Sequence, residues 1–160
     1  MHDTRIDLAA RTRTKVIATL NQRLADALDM NAQAKHAHWN VKGPHFIALH
    51  ELFDKIAASV EEHVDELAER ITALGGTAYG TLASAARATS LPAFPEDITD
   101  GMKHVDALAT ALADFGGKIR KGIAEAARQG DADTCDLYTA ISREVDKYLW
   151  FLEAHLQSKA

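Results

Sequence analysis

The chain has 160 residues, enough for one domain with a sizeable core, and its 47% apolar content is rich in alanine and poor in aromatics. No apolar run approaches the roughly 18 residues of a membrane span, and the N-terminus lacks the apolar stretch of a secretion signal, so cytoplasm is the expected compartment. Formal net charge is −5; residues 1–15 set Arg5, Arg11, Arg13 and Lys15 against Asp3 and Asp7 for a net +2, which leaves −7 on a body that repels polyanions and attracts cations.

Nine glycines and three prolines gather between long uninterrupted stretches, which predicts a mainly helical protein. From Thr14 to Lys42, Val16, Leu20, Leu24, Leu28, Ala34, Ala37 and Val41 recur with helical period. Gly43-Pro44 breaks this helix, and a second runs from His45 to Leu74 with Leu49, Phe53, Ile56, Val60, Val64, Leu67 and Ile71 inward. Gly75-Gly76 ends it. A short alanine-rich helix is expected over Leu82–Ala88, after which Pro92 and Pro95 impose an extended crossover. Asp97, Thr99 or Asp100 caps a third long helix reaching Gln129, with Gly116-Gly117 as a place where it can bend. Gly130 stops it, and Asp131 or Asp133 starts a last helix with Leu137, Ile141, Val145, Leu149, Leu152 and Leu156 inward. Four long helices with one long connection between the second and third make an all-α bundle of ferritin-like connectivity, which periodicity alone does not separate from other bundles, with a short extra helix expected in its crossover. Residues 1–13 are expected as a short flexible basic tail and residues 14–160 as the single domain. The lone Cys135 excludes an intrachain disulfide, fits a reducing compartment, and is expected as a small half-buried helix residue.

On the second helix His50 and Asp54 stand four residues apart, as do Asp65 and Glu69, and eleven residues separate the pairs. Eleven residues turn a helix through three full turns plus roughly 20°, so both pairs share one face, yet lie about 16 Å apart along it. Metal bonds are about 2 Å long, so one helix cannot close both pairs on one ion. A second copy running antiparallel brings Asp65/Glu69 opposite His50/Asp54 and forms a twofold dimer with two equivalent sites. Taken singly, each charge fits a solvated helix face. Their common stripe, and the small Ala57, Ala58 and Ser59 midway where helices would cross, shift weight toward the metal, though spacing alone leaves the solvated face ahead. His38 ends the first helix one Gly-Pro turn before His50 and can converge with it. Imidazoles with carboxylates suit iron better than a structural zinc, which prefers thiolates. Trp39 is an expected core residue that beside a redox metal can donate electrons. His36 and His63 are expected as flanking or surface imidazoles, and His2, His45, His104 and His155 carry no argument.

The runs His38-Trp39-Asn40-Val41-x-Gly43, Phe46-x-x-Leu49-His50-x-x-x-Asp54, Asp65-x-x-Ala68-Glu69-Arg70 and Leu74-Gly75-Gly76 resemble the Dps family, the DNA-protection-during-starvation proteins or mini-ferritins. So does Ser142-Arg143-x-x-Asp146-Lys147-x-Leu149-Trp150-Phe151-Leu152-Glu153. The likeness spans Thr14 to Leu156. It implies a hollow dodecamer with ferroxidase centres between subunits, His38, His50 and Asp54 coming from one subunit and Asp65 and Glu69 from its partner, with one or two irons in each. Glu-x-x-His, the motif of ordinary ferritins, is absent from the sequence. The implied chemistry is oxidation of Fe(II), preferentially by hydrogen peroxide, and storage of ferric mineral, with Trp39 as a possible electron donor. The resemblance also implies an acidic threefold pore, to which Asp131, Asp133 and Asp136 are assigned; one of them also suits a helix cap. DNA binding is expected to be weak and carried by Arg5, Arg11, Arg13 and Lys15, because twelve copies at −5 carry a formal −60. Nucleoid association in a bacterial cytoplasm goes with it. The competing expectations are an iron-storage enzyme that never touches DNA and a DNA-compacting structural protein whose metal site serves assembly alone.

Overall fold

A computed structural model describes residues 1–157, so the last three residues of the expected domain lie outside the described residues. The described chain is all-α, with helices α1 (Ala10–Asn40), α2 (Phe46–Ala73), α3 (Leu82–Ala88), α4 (Gly101–Gln129) and α5 (Ala132–Leu156). α1 packs along α2, and α4 along α5. The 74–100 connection carries α3 across α1 and sets α1 against α4. The four long helices of this ferritin-like bundle end close to where the periodicity places them, and α3 matches its expected bounds.

Local chemistry explains the ends. Asp100 accepts a hydrogen bond from the Lys103 amide at the start of α4, and Asp131 accepts one from Thr134 at the start of α5. Between them Gly130 adopts φ 76°, the left-handed conformation that closes a helix without a Cβ penalty. Gly116-Gly117 does not interrupt α4. Gly101 lets two helix starts touch: a Cβ there would lie 2.8 Å from the Leu49 side chain. Beside it, Lys42 donates its amide to the Thr99 carbonyl at 3.0 Å, which ties the α1–α2 turn to the start of α4.

The core is aliphatic with two central phenylalanines, Phe53 and Phe115. Full burial of each large side chain contributes about 1.5–3 kcal/mol. Val16, Leu20, Leu24, Leu49, Ile56, Leu67, Ile71, Ile141 and Leu152 are buried as expected, whereas Leu156 remains exposed. Cys135 is half-buried and free. The N-terminal expectation needs correction. α1 begins at Ala10, not Thr14, and the residues before it are fastened down: His2 donates its amide to the Gly75 carbonyl at 2.7 Å, and Ile6 and Leu8 pack on the core.

Candidate metal centre

His38 lies in the last turn of α1, where helix carbonyls lack intrahelical partners, and His50 lies in the first turns of α2. The Gly43-Pro44 turn folds the two side by side. Their rings stack with centroids 3.7 Å apart and planes 21° apart. Each Nδ1 sits 2.8 Å from the other residue's backbone carbonyl. A carbonyl only accepts, so each Nδ1 carries a proton, and in the neutral form of each ring Nε2 is the nitrogen that keeps its lone pair. A metal-binding imidazole needs that tautomer, and the backbone hydrogen bond that fixes it also fixes the ring's orientation.

Asp54 follows His50 one turn along the exposed stripe of α2. Lys35 of α1, three residues before His38, donates to Asp54 Oδ1 at 2.7 Å. That hydrogen bond, with the charges of Lys35, His38 and His50, holds the Asp54 carboxyl below the usual carboxylate range despite some opposing desolvation. Lys35 had no place in the sequence pattern because its contact spans the hairpin; its offset from His38 on one helix face was the available signal. Its ammonium also lies 6.0 Å from the Trp39 ring centroid. Trp39 itself is 69% exposed, which corrects its expected place in the core.

Asp65 and Glu69 are exposed at the far end of α2, on the same side as Asp54. Of the three small residues midway between the pairs only Ala58 is exposed; Ala57 and Ser59 are buried in the subunit's own core, so the expected small triad reduces to one residue. Among the described residues, no three His, Cys, Asp or Glu side chains of one chain gather closely enough to hold an ion. α2 is an unbroken helix, and it keeps the two pairs apart. One subunit therefore presents the two candidate pairs apart from each other along one helix face.

The three pore candidates separate. Asp131 is 2% exposed: its Oδ1 accepts from Arg70 at 2.6 Å and from the Thr134 amide at 3.1 Å, and its Oδ2 accepts from the Thr134 hydroxyl at 2.7 Å. Its carboxylate is fully used as a cap and ion pair, so it leaves the proposed pore lining. Asp133 and Asp136 are exposed. Arg70, next to Glu69, also donates to the Thr134 hydroxyl at 3.0 Å and so pins the end of α2 to the start of α5.

Of the four basic tail residues, Arg5, Arg11 and Lys15 are exposed. Arg13 is not available to a phosphate within the subunit. It is 9% exposed and donates to the Leu74 carbonyl at 3.0 Å and the Leu8 carbonyl at 3.3 Å, satisfying the C-terminal end of α2. His63, expected as a flanking or a surface imidazole, is not at the surface: it is buried with Nδ1 3.3 Å from Glu66 and Nε2 3.5 Å from Glu144 of α5.

Comparison with known proteins bears on this geometry. The model of the ferritin-like domain matches residues 17–159. A DNA protection during starvation protein of Agrobacterium fabrum is 45% identical over 99% of this chain and 98% of its own. The solved Dps of Mycobacterium smegmatis superposes with a TM-score of 0.94 at 30% identity, covering 99% of this chain and 95% of that one. A Dps protein of Vibrio cholerae, described as a member of a broad superfamily of ferritin-like diiron-carboxylate proteins, superposes at 0.91 with 27% identity and covers 98% of each chain.

Proposed function

Because this chain belongs to the ferritin-like family of DNA protection during starvation proteins, we propose that it oxidises Fe(II) at centres shared between two subunits and stores the ferric product in a dodecameric shell. The observation that carries this reading is the mutual lock of His38 and His50, which prepares two Nε2 lone pairs beside Asp54 while Asp65 and Glu69 wait at the other end of α2. The donor set fits the substrate. Neutral imidazoles bind the ferrous ion, and carboxylates favour the more highly charged ferric one. Asp65 or Glu69 is suited to bridge two irons.

Hydrogen peroxide is the proposed oxidant. Two Fe(II) ions give one electron each, and peroxide takes these and two protons to become two waters, so no hydroxyl radical is released. Trp39, exposed beside the half-site, is placed to supply an electron to a stray oxidising equivalent. Asp133 and Asp136 attract Fe(II) at the entrance, without Asp131. Protection of DNA then follows from removing iron and peroxide together. Direct DNA contact is weak and runs through Arg5, Arg11 and Lys15. The proposed setting is a bacterial cytoplasm beside the nucleoid.

The test uses two inactive variants. Asp54→Ala and Glu69→Ala each abolish fast peroxide-dependent iron oxidation while the shell persists. When the two are co-assembled, about half of the pairs are mixed, and each mixed pair holds one intact centre, so about a quarter of the wild-type rate returns. A mixture that stays inactive overturns the shared site, and wild-type rates in both single variants overturn the ferroxidase assignment.

A further inference from the structure

His104, in the first turn of α4, is completely buried, and neither ring nitrogen makes a well-formed hydrogen bond; only a weak approach of the Ile98 carbonyl bears on the ring. Three elements enclose it. Phe94 of the crossover stacks on it with centroids 5.9 Å apart, and Phe53 of α2 lies 6.4 Å away. His36 of α1 meets the same Phe94 edge-on at 5.4 Å, and its Nε2 is also buried without a partner. Buried polar atoms without partners are rare and costly, and an unpartnered buried charge costs far more.

The crossover is fastened on either side of this cluster but not over it. Before Phe94, Asp26 accepts from Ser90 and Asp29 from Thr89, both at 2.7 Å, and Gln33 donates to the Pro92 carbonyl at 3.0 Å. After it, the Thr99 carbonyl accepts from Lys42. Among the described residues, 93–98 form no hydrogen bond to a helix; their half-buried side chains, Phe94 and Ile98, hold them down. Hollows of about 300 and 650 Å³ flank Phe94. The segment has little to lose and room to move.

We propose that His104 is an acid-sensitive latch: when its ring takes up a proton, residues 93–98 lift Phe94 off the α1–α4 seam and admit water to the imidazolium. Burial pushes the His104 pKa down, and nearby His36 pushes it further; the Ile98 carbonyl and Asp100 oppose this more weakly. The charged and titratable groups that bear on His104 are His36 from α1 and Asp100 at the α4 cap, while α2 sets the apolar Phe53 against it. In the opened form the ring titrates near the ordinary ~6.5, and in the closed form lower. The opened form therefore binds more protons, so opening grows as pH falls below about 6.5 and levels off beneath the closed-form value.

Hydrogen exchange of the assembled protein, corrected for the intrinsic pH dependence, tests this. The hydrogen-bonded wild-type amides that flank the segment, Ser90 on Asp26 and Lys42 on the Thr99 carbonyl, gain opening by up to about tenfold per pH unit between pH 6.5 and 5. His104→Phe and His104→Leu, made in parallel in case one does not fold, hold opening within about twofold over that range. Emission of Trp39, which lines the larger hollow with Phe94, follows the same profile in a Trp150→Phe background. The latch is overturned if the wild type shows no change, if both His104 variants open with the wild-type profile, or if His36→Gln abolishes the response while they retain it.

Discussion

His38 and His50 lock each other's tautomer: each Nδ1 donates to the other's backbone carbonyl at 2.8 Å, so neither ring is oriented independently. Removing either should therefore cost more than one ligand. His38→Ala or His50→Ala is expected to weaken anaerobic Fe(II) binding by about 10- to 100-fold, with the double variant little worse than the worse single one. Additive losses in an anaerobic calorimetric titration would mean that the rings act separately.

Lys35 holds Asp54 with a tethered positive charge where an iron ion would sit. The pair is solvent-exposed, so water and salt screen it and it adds little to stability. Lys35→Met should tighten Fe(II) binding about two- to fivefold and let the Asp54 carboxyl return toward its ordinary range. Weaker binding in the same titration would instead make Lys35 a positioning residue for Asp54.

The acidic cluster at the start of α5 should divide along its burial. Asp133→Asn and Asp136→Asn are expected to slow Fe(II) uptake at unchanged Tm. Asp131→Asn should lower stability by about 1–3 kcal/mol, because it breaks the Arg70 pair, with uptake per folded shell unchanged. Stopped-flow uptake beside thermal unfolding separates the two roles. Slowed uptake in the Asp131 variant would restore it to the entrance.

Burial pushes the Tyr138 phenol up to about 12. The unfolded chain loses that proton near pH 10 and the folded chain later, so stability falls as pH rises from about 10 to 12, on the order of 2–3 kcal/mol in all. Tyr138→Phe should flatten this alkaline loss. A variant whose denaturant midpoint still falls as steeply would place the loss in another group.

Arg13 and its neighbours should part company in a low-salt gel shift. Arg5→Ala, Arg11→Ala and Lys15→Ala together are expected to weaken DNA retention and flatten its salt dependence. Arg13→Leu should leave retention unchanged and cost about 1–3 kcal/mol of stability by orphaning the Leu74 carbonyl. Loss of retention in folded Arg13→Leu would put that residue back among the DNA contacts.

Helix bounds were legible because they are local: Gly43-Pro44, Gly75-Gly76, Pro92, Pro95 and Gly130 interrupt clear apolar periods. The stripe of proposed ligands could be drawn for the same reason, since His50, Asp54, Asp65 and Glu69 lie on one helix and spacing alone aligns them. Lys35 and Arg70 act across helix pairs, at separations of 19 and 61 residues from their carboxylates, and no local period reports such contacts. Arg13 and His104 are polar residues placed inside, where type argues for the surface. Asp131, Asp133 and Asp136 look alike in sequence; a single hydrogen-bonded cap distinguishes the first.

The unbroken α2 also governs how iron loads. In the proposed twofold pair, the midpoints of the two half-sites lie about 22 Å apart along the helix. Screening in physiological salt fades charge effects over about 8 Å. Ferrous charge arriving at one centre is thus hardly felt at the other, and the two fill with a Hill slope of one. A shell built this way takes up iron statistically, centre by centre, and a half-loaded population holds a random mixture of empty, single and double pairs.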